Sequence, residues 1–357
     1  MVKIVLRSLM WLYMLVLLAV WGCLYFDTGN SWWTTLFLFS PRWVLGLPWL
    51  LLFPLTLLVD YRIARWYAIH LIVLVIPLLG FCVPSFSFDE RANEAVPRLR
   101  VMTCNLGEGP IRVGQLLLWL EQERSEVLLL QECNSQLLEE LKQKLDWNFR
   151  HDDKLVIASS RRLSDITIVE QRDSDHYGVS VMISAEVSLS NELATTHQYQ
   201  LASQEDPKAR ANSVRLVCVH FPTFRPAFEK ARSFDASAED DYRMLVDEYR
   251  SLAKAASEAL LASETPTLIG GDFNVPAESA FYRDYWSDYQ NALSIQGWGL
   301  CYTKYTRLHG VRIDHVLGDA HWTVESAKVG PNLGGDHRPV SVGFGLVASP
   351  AAAKLTP

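Results

Sequence analysis

Polar residues follow one apolar, strand-like stretch after another in the sequence from about residue 98 onward. Asn105 follows RLRVMTC, Glu132 follows EVLLLQ, and His220 ends RLVCVH. An Asn or Asp at a strand end commonly just caps a turn, so each residue alone indicates little. The joint pattern is improbable by chance and predicts a single site. The full set is Asn105, Glu132, His220, Asp272, Asn274, Asp314, His315, Asp336 and His337.

These residue types suit one kind of chemistry. Carboxylate and amide oxygens, without a set of Cys or three His ligands, favour a hard cation such as Mg²⁺ or Mn²⁺. Such an ion neutralises a phosphate group, and nearby His and Asn side chains donate hydrogen bonds to its oxygens. A further Asp can orient the attacking water. The six cysteines show no CxxC spacing and the chain has no GxSxG motif, so zinc, thiol-redox and serine-hydrolase chemistry have no support.

The elements that must position this site are strands alternating with helices between residues 98 and 347. Many strands with interspersed helices, and no Gly-rich dinucleotide-binding turn, predict an α/β sandwich. We expect a flexible tail at 348–357. The strands are expected at 98–104, 126–131, 155–159, 166–171, 179–187, 213–220, 267–271, 311–317 and 340–344, and the two main helices at 111–123 and 238–264.

The first 83 residues have a different character. Three apolar segments, at about 8–26, 43–59 and 67–83, approach the ~20 residues that cross a bilayer. Tryptophans crowd their edges, which favours transmembrane helices over buried core helices. A cleaved signal peptide is disfavoured because no small-x-small site follows the first segment. A polar linker is expected at 84–97.

The placement of Lys and Arg predicts the orientation. Lys3 and Arg7 precede the first segment, and Arg62 and Arg65 lie between the second and third, whereas only Arg42 lies in the gap between the first two. Positive residues favour the cytoplasmic side. We therefore expect an integral protein of a bacterial inner (cytoplasmic) membrane, with the domain at 98–347 on the extracytoplasmic side.

The motifs NLG, LLLQEC, VHFP, GGDFN, RIDHVL and GDHRPV, in this order, resemble the endonuclease/exonuclease/phosphatase superfamily. The resemblance covers about residues 98–347. It implies a four-layer α/β sandwich, in which two packed mixed β-sheets are flanked by helices, and hydrolysis of a phosphoester with Mg²⁺, or with Mn²⁺ in its place. GGDFN and GDHRPV together are highly specific, whereas NLG alone is not.

The same resemblance implies a role for each polar residue. By this resemblance, Glu132 occupies the position of the family's principal metal ligand. Asn105 stands beside it, and Asp336 corresponds to a second acidic group near the metal. Asp272 would position the attacking water. The remaining implied roles are phosphate binding by His220 and Asn274, and transition-state stabilisation by His337, oriented by Asp314. Arg225 and Arg312 are candidates for contact with the substrate.

The substrate class remains open at this level. The chain has a net charge of −7, and its acidic excess lies after residue 96, so nucleic acid is possible as a partner but not favoured. Three spans followed by such a domain resemble a bacterial membrane group that includes proteins implicated in glycopeptide resistance. This favours a lipid-linked or membrane-proximal phosphate. The alternatives are a membrane-tethered nuclease, an enzyme for soluble phosphorylated metabolites, and a non-catalytic phosphate-binding sensor. No protein partner is evident.

Overall fold

The computed structural model describes residues 1–27, 29–85, 97–107, 109–174, 178–189, 213–261 and 264–347. The predicted tail at 348–357 and most of the predicted linker at 84–97 lie outside these ranges. The helical region before the linker contains α1 (Val2–Asp27), α2 (Trp32–Leu38), a 3₁₀ turn (Arg42–Gly46), α3 (Leu47–Val59), α4 (Tyr61–Ala64), α5 (Tyr67–Val73) and a π-helical turn (Leu74–Leu78).

The domain that follows alternates strands and helices, as the sequence predicts. Its strands are β1 (Arg98–Asn105), β2 (Val127–Gln131), β3 (Asn148–Asp152), β4 (Leu155–Ser159), β5 (Thr167–Ser174), β6 (Gly178–Ser188), β7 (Ser213–His220), β8 (Thr267–Asp272), β9 (Gln290–Asn291), β10 (Lys304–Tyr305), β11 (Gly310–Val311), β12 (Asp314–Gly318), β13 (Trp322–Val329) and β14 (Val340–Leu346). Its helices are α6 (Val113–Gln122), α7 (Ser135–Lys144), α8 (Arg225–Arg232), α9 (Ala238–Leu261), α10 (Ala280–Trp286) and α11 (Ala292–Gln296).

The strands form two six-stranded sheets, in the orders β13-β14-β1-β2-β4-β3 and β5-β6-β7-β8-β12-β9. Each sheet is mixed because it contains one parallel pair, β1 with β2 in the first and β7 with β8 in the second. The other neighbours pair antiparallel. The predicted architecture of two mixed sheets flanked by helices is confirmed.

Three apolar clusters give the sandwich its four layers. One cluster lies between the sheets and joins side chains such as Val101 and Leu129 of the first sheet to Leu216 and Val316 of the second. A second cluster packs α6 and α7 on the outer face of the first sheet. The third packs α8, α9 and α10 on the outer face of the second sheet. These strands carry continuous apolar runs because both of their faces are covered.

The helical region contains three helices long and apolar enough to cross a membrane, Val2–Asp27, Arg42–Val59 and Tyr61–Leu78. The first is longer than the predicted 8–26. The third helix ends before the predicted boundary at residue 83, because Cys82 leaves the helix and pairs with Gly299 of the domain in an antiparallel bridge. The Cys82 amide donates to the Gly299 carbonyl at 2.7 Å. The end of the third helix is thereby fastened to the domain before the linker begins.

The gap between the first two spans is also docked on the domain. Thr35 of α2 shares a buried 2.7 Å hydrogen bond with the Tyr242 hydroxyl of α9. The Trp32 ring lies 5.2 Å from the Tyr242 ring and 5.8 Å from the Phe228 ring. The Arg250 guanidinium donates to the Gly29 carbonyl at 3.0 Å. Residues 25–27, 29–43 and 79–85 therefore form, with the domain surface they touch, a junction that we call the membrane–domain junction.

The Gly-Gly pair in LIGGD lies inside β8 rather than in a turn. A Cβ at Gly270 would lie 2.7 Å from Leu129 Cδ1 of the opposite sheet, so glycine lets the sheets approach closely. Gly271 has a φ of +151°, and a Cβ there would lie 2.0 Å from the Val219 carbonyl oxygen of the neighbouring strand. Only glycine accommodates both the backbone conformation and this approach.

Replacing Gly271 by Ala is therefore expected to destabilise the domain by at least the ~1–3 kcal/mol associated with a disallowed backbone conformation. The midpoint of thermal unfolding of the detergent-solubilised protein measures this, and a drop of at least about 2–4 °C is expected. Gly114→Ala is the matched control, because a Cβ at Gly114 meets no atom within 4 Å. Equal midpoints for the two variants would contradict this account of β8.

Candidate active site

The predicted polar residues converge because the two parallel strand pairs end at the same edge of the sandwich. In the first sheet Asn105 of β1 pairs in register with Gln131 of β2, which places Glu132 just beyond it. In the second sheet His220 of β7 pairs in register with Asp272 of β8. Parallel strands bring their carboxyl ends together, and face-to-face packing brings the two pairs of ends together.

Asn105 connects the two sheets at this edge. Its side-chain amide donates to Glu132 Oε1 and to Asp272 Oδ2, both at 2.9 Å. Its carbonyl oxygen accepts from the Gly107 amide at 2.8 Å. The His220 Nε2 atom lies 3.5 Å from Glu132 Oε1. One buried amide thus fixes the relative position of two carboxylates from different sheets.

Two of these residues adopt backbone conformations that sequence patterns do not show. Glu132 has φ +55° and Asn274 has φ +51°, both in the left-handed region. Such conformations are uncommon for residues with a side chain, and they cluster at functional sites where surrounding contacts enforce them. For Asn274, its amide donates to Asp272 Oδ1 at 2.8 Å and its side chain donates to the Phe221 carbonyl at 2.8 Å. These bonds lock the turn that follows β8.

A second buried group lies beside Asp272. His337 Nδ1 is 2.9–3.0 Å from both carboxylate oxygens of Asp314, and its Nε2 lies 3.8 Å from Asp272 Oδ2. The Asp314 and Ile313 amides donate to the Thr303 hydroxyl oxygen, which holds the start of β12 in place. His337 and Asp314 therefore have the geometry of an oriented histidine and the carboxylate that orients it.

The pKa shifts follow from this crowding. Burial and then the Asp314 charge raise the pKa of Asp272, although His337 and His220 oppose them. Burial alone would raise the pKa of Asp314, but the charge and the hydrogen bond of His337 hold it below its usual value. Burial likewise disfavours the His337 cation, yet the Asp314 carboxylate raises its pKa to about 9. Near neutral pH the pair is an imidazolium beside a carboxylate.

Lys304 is a functional candidate that the sequence analysis missed. Its Nζ lies 2.8 Å from His337 Nε2 and 3.2 Å from Asp336 Oδ2. Burial would raise the pKa of Asp336, but the Lys304 ammonium holds it below its usual value. Two cationic donors this close repel each other, so an anionic oxygen that contacts both would stabilise the pair. A lone Lys in CYTKYTRL carries no spacing signal, and only the pairing of residues 304 and 337 reveals it.

The predicted metal ligands Asn105, Glu132 and Asp336 present hard oxygen donors, as Mg²⁺ prefers. Gly107 lies between them with φ +54°, and a Cβ there would lie 3.1 Å from Asp336 Oδ1 and 3.9 Å from Asn105 Oδ1. A larger residue would fill this space, so the surroundings fit a small cation.

A second group of side chains could also hold a metal ion. It consists of Asp272, Asp314 and His337, which are buried and whose donor atoms lie within 4.8 Å of one another. Because Asp314 and His337 already bond to each other, we assign the ion to the first set, and that assignment remains a prediction.

The structure does not bring every predicted residue to this edge. Arg312 is buried, and its guanidinium bonds to Glu278 Oε1 at 2.9 Å and to the Cys82 sulfur at 2.7 Å, so it faces the membrane–domain junction and not the carboxylates. Arg225 begins α8 and pairs with Glu229 at 2.7 Å. Its contact with substrate stays a prediction. His315, next to Asp314, has a structural position between Asn291 and the Val275 carbonyl.

Glu132→Gln is expected to weaken Mg²⁺ binding at least ~10- to 100-fold, the range seen when a metal site loses even a supporting group. Isothermal titration of the purified protein with MgCl₂ measures this without an activity assay. Glu126→Gln is the matched control, because Glu126 stands at the opposite end of the same strand and pairs with Arg161 at 2.7 Å. Equal Mg²⁺ affinities in the two variants would remove Glu132 from the metal site.

Comparison with known proteins identifies the family. The sequence model of the endonuclease/exonuclease/phosphatase family matches residues 102–337, more than half of the chain. A search of the curated proteins found no match.

Solved structures with a similar fold include an endonuclease/exonuclease/phosphatase family protein from Bacteroides thetaiotaomicron, 14% identical over 70% of this chain and 98% of that chain, with a TM-score of 0.49. The human nocturnin catalytic domain with bound sulfate is 15% identical over 71% of this chain and 96% of its own, with a TM-score of 0.47. A mannosyl-6-phosphatase from Bacteroides thetaiotaomicron is 14% identical over 69% of this chain and 99% of its own, with a TM-score of 0.42. None of these likenesses indicates the substrate.

Members of the matched family are divalent-metal-dependent phosphoesterases and nucleases, so the predicted enzyme class is confirmed. With its match over residues 102–337, this chain belongs to the endonuclease/exonuclease/phosphatase family.

Proposed function

We propose that the protein is a membrane-anchored, Mg²⁺-dependent phosphoesterase that hydrolyses a lipid-linked phosphate by attack of water. One observation carries the proposal: the helical region packs against the segments that follow β7 and β8, the two strands that end in His220 and Asp272. The segment after β7, which begins at His220, continues into Phe224, whose ring lies 6.2 Å from that of Phe39. The segment after β8 continues into Phe281, against which Gly29 packs. The catalytic edge therefore faces the bilayer surface.

The roles of the side chains follow from their geometry. Asp272, next to an imidazolium and with a raised pKa, can accept a proton from an attacking water. His337 and Lys304 present positive charge to the phosphate oxygens, which gain charge as the bond breaks. His220 stands on the opposite side of the cluster, beside Glu132. An ion at Asn105, Glu132 and Asp336 would supply neutralising charge to the same phosphate.

The all-oxygen donor set supports Mg²⁺ as the metal, with Mn²⁺ as the alternative. The acidic excess of the domain supports a phosphate that is held in the bilayer over a long polyanion. A tethered site also meets a membrane-bound substrate at high effective concentration. These arguments favour lipid-linked phosphate over nucleic acid.

We further propose that the domain lies on the extracytoplasmic side. The helix α1 has 26 residues, about 39 Å at 1.5 Å per residue, and its C-terminal end reaches the domain, where Arg283 donates to the Tyr25 carbonyl. Near its N-terminal end Lys3 lies 3.8 Å from Asp60, which begins the loop between the second and third spans. The basic residues at the start of α1 and at the start of the third helix thus share the end remote from the domain, and positive residues favour the cytoplasm.

Asp272→Asn is expected to lower kcat by at least ~10²-fold, the scale of a positioned acid–base group. The assay uses detergent-purified protein with Mg²⁺, Mn²⁺ or EDTA and a panel of prenyl phosphates and diphosphates, phospholipids, inositol phosphates, DNA, RNA and a generic diester. Asp319→Asn is the matched control, because Asp319 accepts from the Thr267 amide at the opposite end of β8.

Cleavage of a lipid phosphate that EDTA and Asp272→Asn abolish would support the proposal. Cleavage of nucleic acid alone would replace it by the nuclease alternative, and equal rates for wild type and Asp272→Asn would favour a binding module.

A reporter fused after Pro357 tests the orientation. Alkaline phosphatase at this position is expected to be active in intact bacteria because it folds after export, while a cytoplasmic fluorescent reporter is expected to be dark. Deleting the positive charges with Arg62→Gln and Arg65→Gln together should reduce this bias, since these residues supply half of the basic side chains at the remote end. An active cytoplasmic reporter on the unmodified chain would place the domain inside the cell.

A further inference from the structure

A cleft of about 410 Å³ lies in the membrane–domain junction, within the size range of small-molecule sites. One wall comes from the helical region and includes Arg42, Trp43 and Leu79. The other wall comes from the domain and includes Leu300, Tyr305 and Leu308. Neither membership of the family nor the catalytic residues described above assigns a role to this cleft.

The cleft adjoins the catalytic centre through β10. Tyr305 lines the cleft, and the preceding residue, Lys304, has its ammonium 2.8 Å from His337 Nε2. The Tyr305 amide donates to the Asp336 carbonyl oxygen at 2.8 Å. The Tyr305 ring also lies 4.7 Å from the Arg338 guanidinium. The cleft and the Lys304–His337 contact are therefore built on neighbouring residues of the same strand.

The cleft also adjoins the bilayer surface. Trp43 stands at the start of the second span, is about half exposed, and donates from its indole nitrogen to the Leu308 carbonyl at 3.2 Å. Leu308 is 71% exposed in the chain alone. Tryptophan favours the interface between water and hydrocarbon, so the open side of the cleft lies at that depth. Exposed leucine next to such a tryptophan suits contact with an apolar chain.

Arg42 supplies a second, independent indication of a ligand. It lines the cleft and is 5% exposed, yet its Nη1 atom has no hydrogen-bond partner among the described residues. Glu278, whose charge interacts with that of Arg42, is itself bonded to Arg312 at 2.9 Å. Burial would raise the Glu278 pKa, but the charges of Arg312 and Arg42 hold it below its usual value. A buried guanidinium donor without an acceptor is costly, and an anionic oxygen in the cleft satisfies it.

We propose that this cleft binds the substrate's lipid portion: a phosphate ester of a long-chain alcohol that carries a second anionic group, as a diphosphate does, with its chain against Trp43, Leu300 and Leu308, one phosphate at His337 and the second anionic group on Arg42. The proposal rests on the function proposed above and narrows it to a substrate with one apolar chain beside its phosphate. Because the chain leaves the catalytic centre past Tyr305 toward the bilayer, the phosphate can be cleaved while the chain remains in the membrane.

The test compares full-length variants in detergent, with farnesyl phosphate as the long-chain probe and isopentenyl phosphate as the short one. Leu308→Asp is expected to raise the KM for farnesyl phosphate about tenfold or more, as expected for loss of one buried leucine contact, and to leave kcat/KM for isopentenyl phosphate unchanged. Leu118→Asp is the matched control, because Leu118 is 66% exposed on α6, on the outer face of the other sheet. Identical kinetics of the two aspartate variants would overturn the chain-binding role.

Binding to the Asp272→Asn protein separates this inference from the proposed function. Arg42→Gln, added to that variant, is expected to weaken farnesyl diphosphate binding about tenfold and to leave farnesyl phosphate binding unchanged, because only the diphosphate carries a second anionic group for Arg42. Arg42→Lys should restore part of the affinity. If wild type hydrolyses no lipid phosphate but Arg42 and Leu308 control binding, the cleft stands and the proposed function falls. If hydrolysis is observed and neither residue affects it or binding, the cleft proposal falls alone.

Discussion

The bond network of the Asn105 side chain is the constraint on which the catalytic edge depends. One amide nitrogen donates to carboxylates from two different sheets, both at 2.9 Å. Because Asn105 and Asp272 are short side chains on facing sheets, these bonds require the sheets to lie no farther apart at that edge than the about 10 Å usual for face-to-face packing. Gly270 makes the approach possible within the core, since any side chain there would meet Leu129. The close packing of the two sheets in the interior therefore also sets the distances between the catalytic side chains.

The same closeness places like charges near one another, and alternating negative and positive side chains offset their repulsion. Asp272 and Asp314 would repel each other in a buried environment, and the His337 imidazolium lies between them, 3.8 Å from one and 2.9 Å from the other. The Lys304 cation and the Asp336 anion continue this alternation of charge toward solvent. A phosphate that enters this row meets positive groups whose own partners are already fixed, so little rearrangement is needed when its charge grows.

Much of this arrangement could be predicted from the sequence, because strand ends and the residues that follow them are local features. The two-sheet architecture and the positions of Asn105, Glu132, Asp272 and His337 followed from such patterns. What failed depends on contacts between distant segments. Lys304 has no motif, and Arg312 was expected near substrate although its partners, Glu278 and Cys82, come from elsewhere in the chain. The predicted third span extends past the end of the helix. Apolar composition does not show where the backbone leaves a helix and begins to pair with a distant segment of the chain.

The bond between Cys82 and Gly299 lies ahead of the linker, and at the start of the linker the Ser85 amide donates to the Ile295 carbonyl at 2.8 Å. The length of that linker therefore adds nothing to the reach of the domain. With α2 fastened as well, the proposed insertion of the three helices would hold the catalytic edge at a fixed height over the bilayer. For a substrate embedded in that bilayer, encounter becomes a two-dimensional search, governed by lateral diffusion and by molecules per unit area. Expanding the membrane with inert lipid would slow such an enzyme even when the amounts of enzyme and substrate in the vessel stay the same.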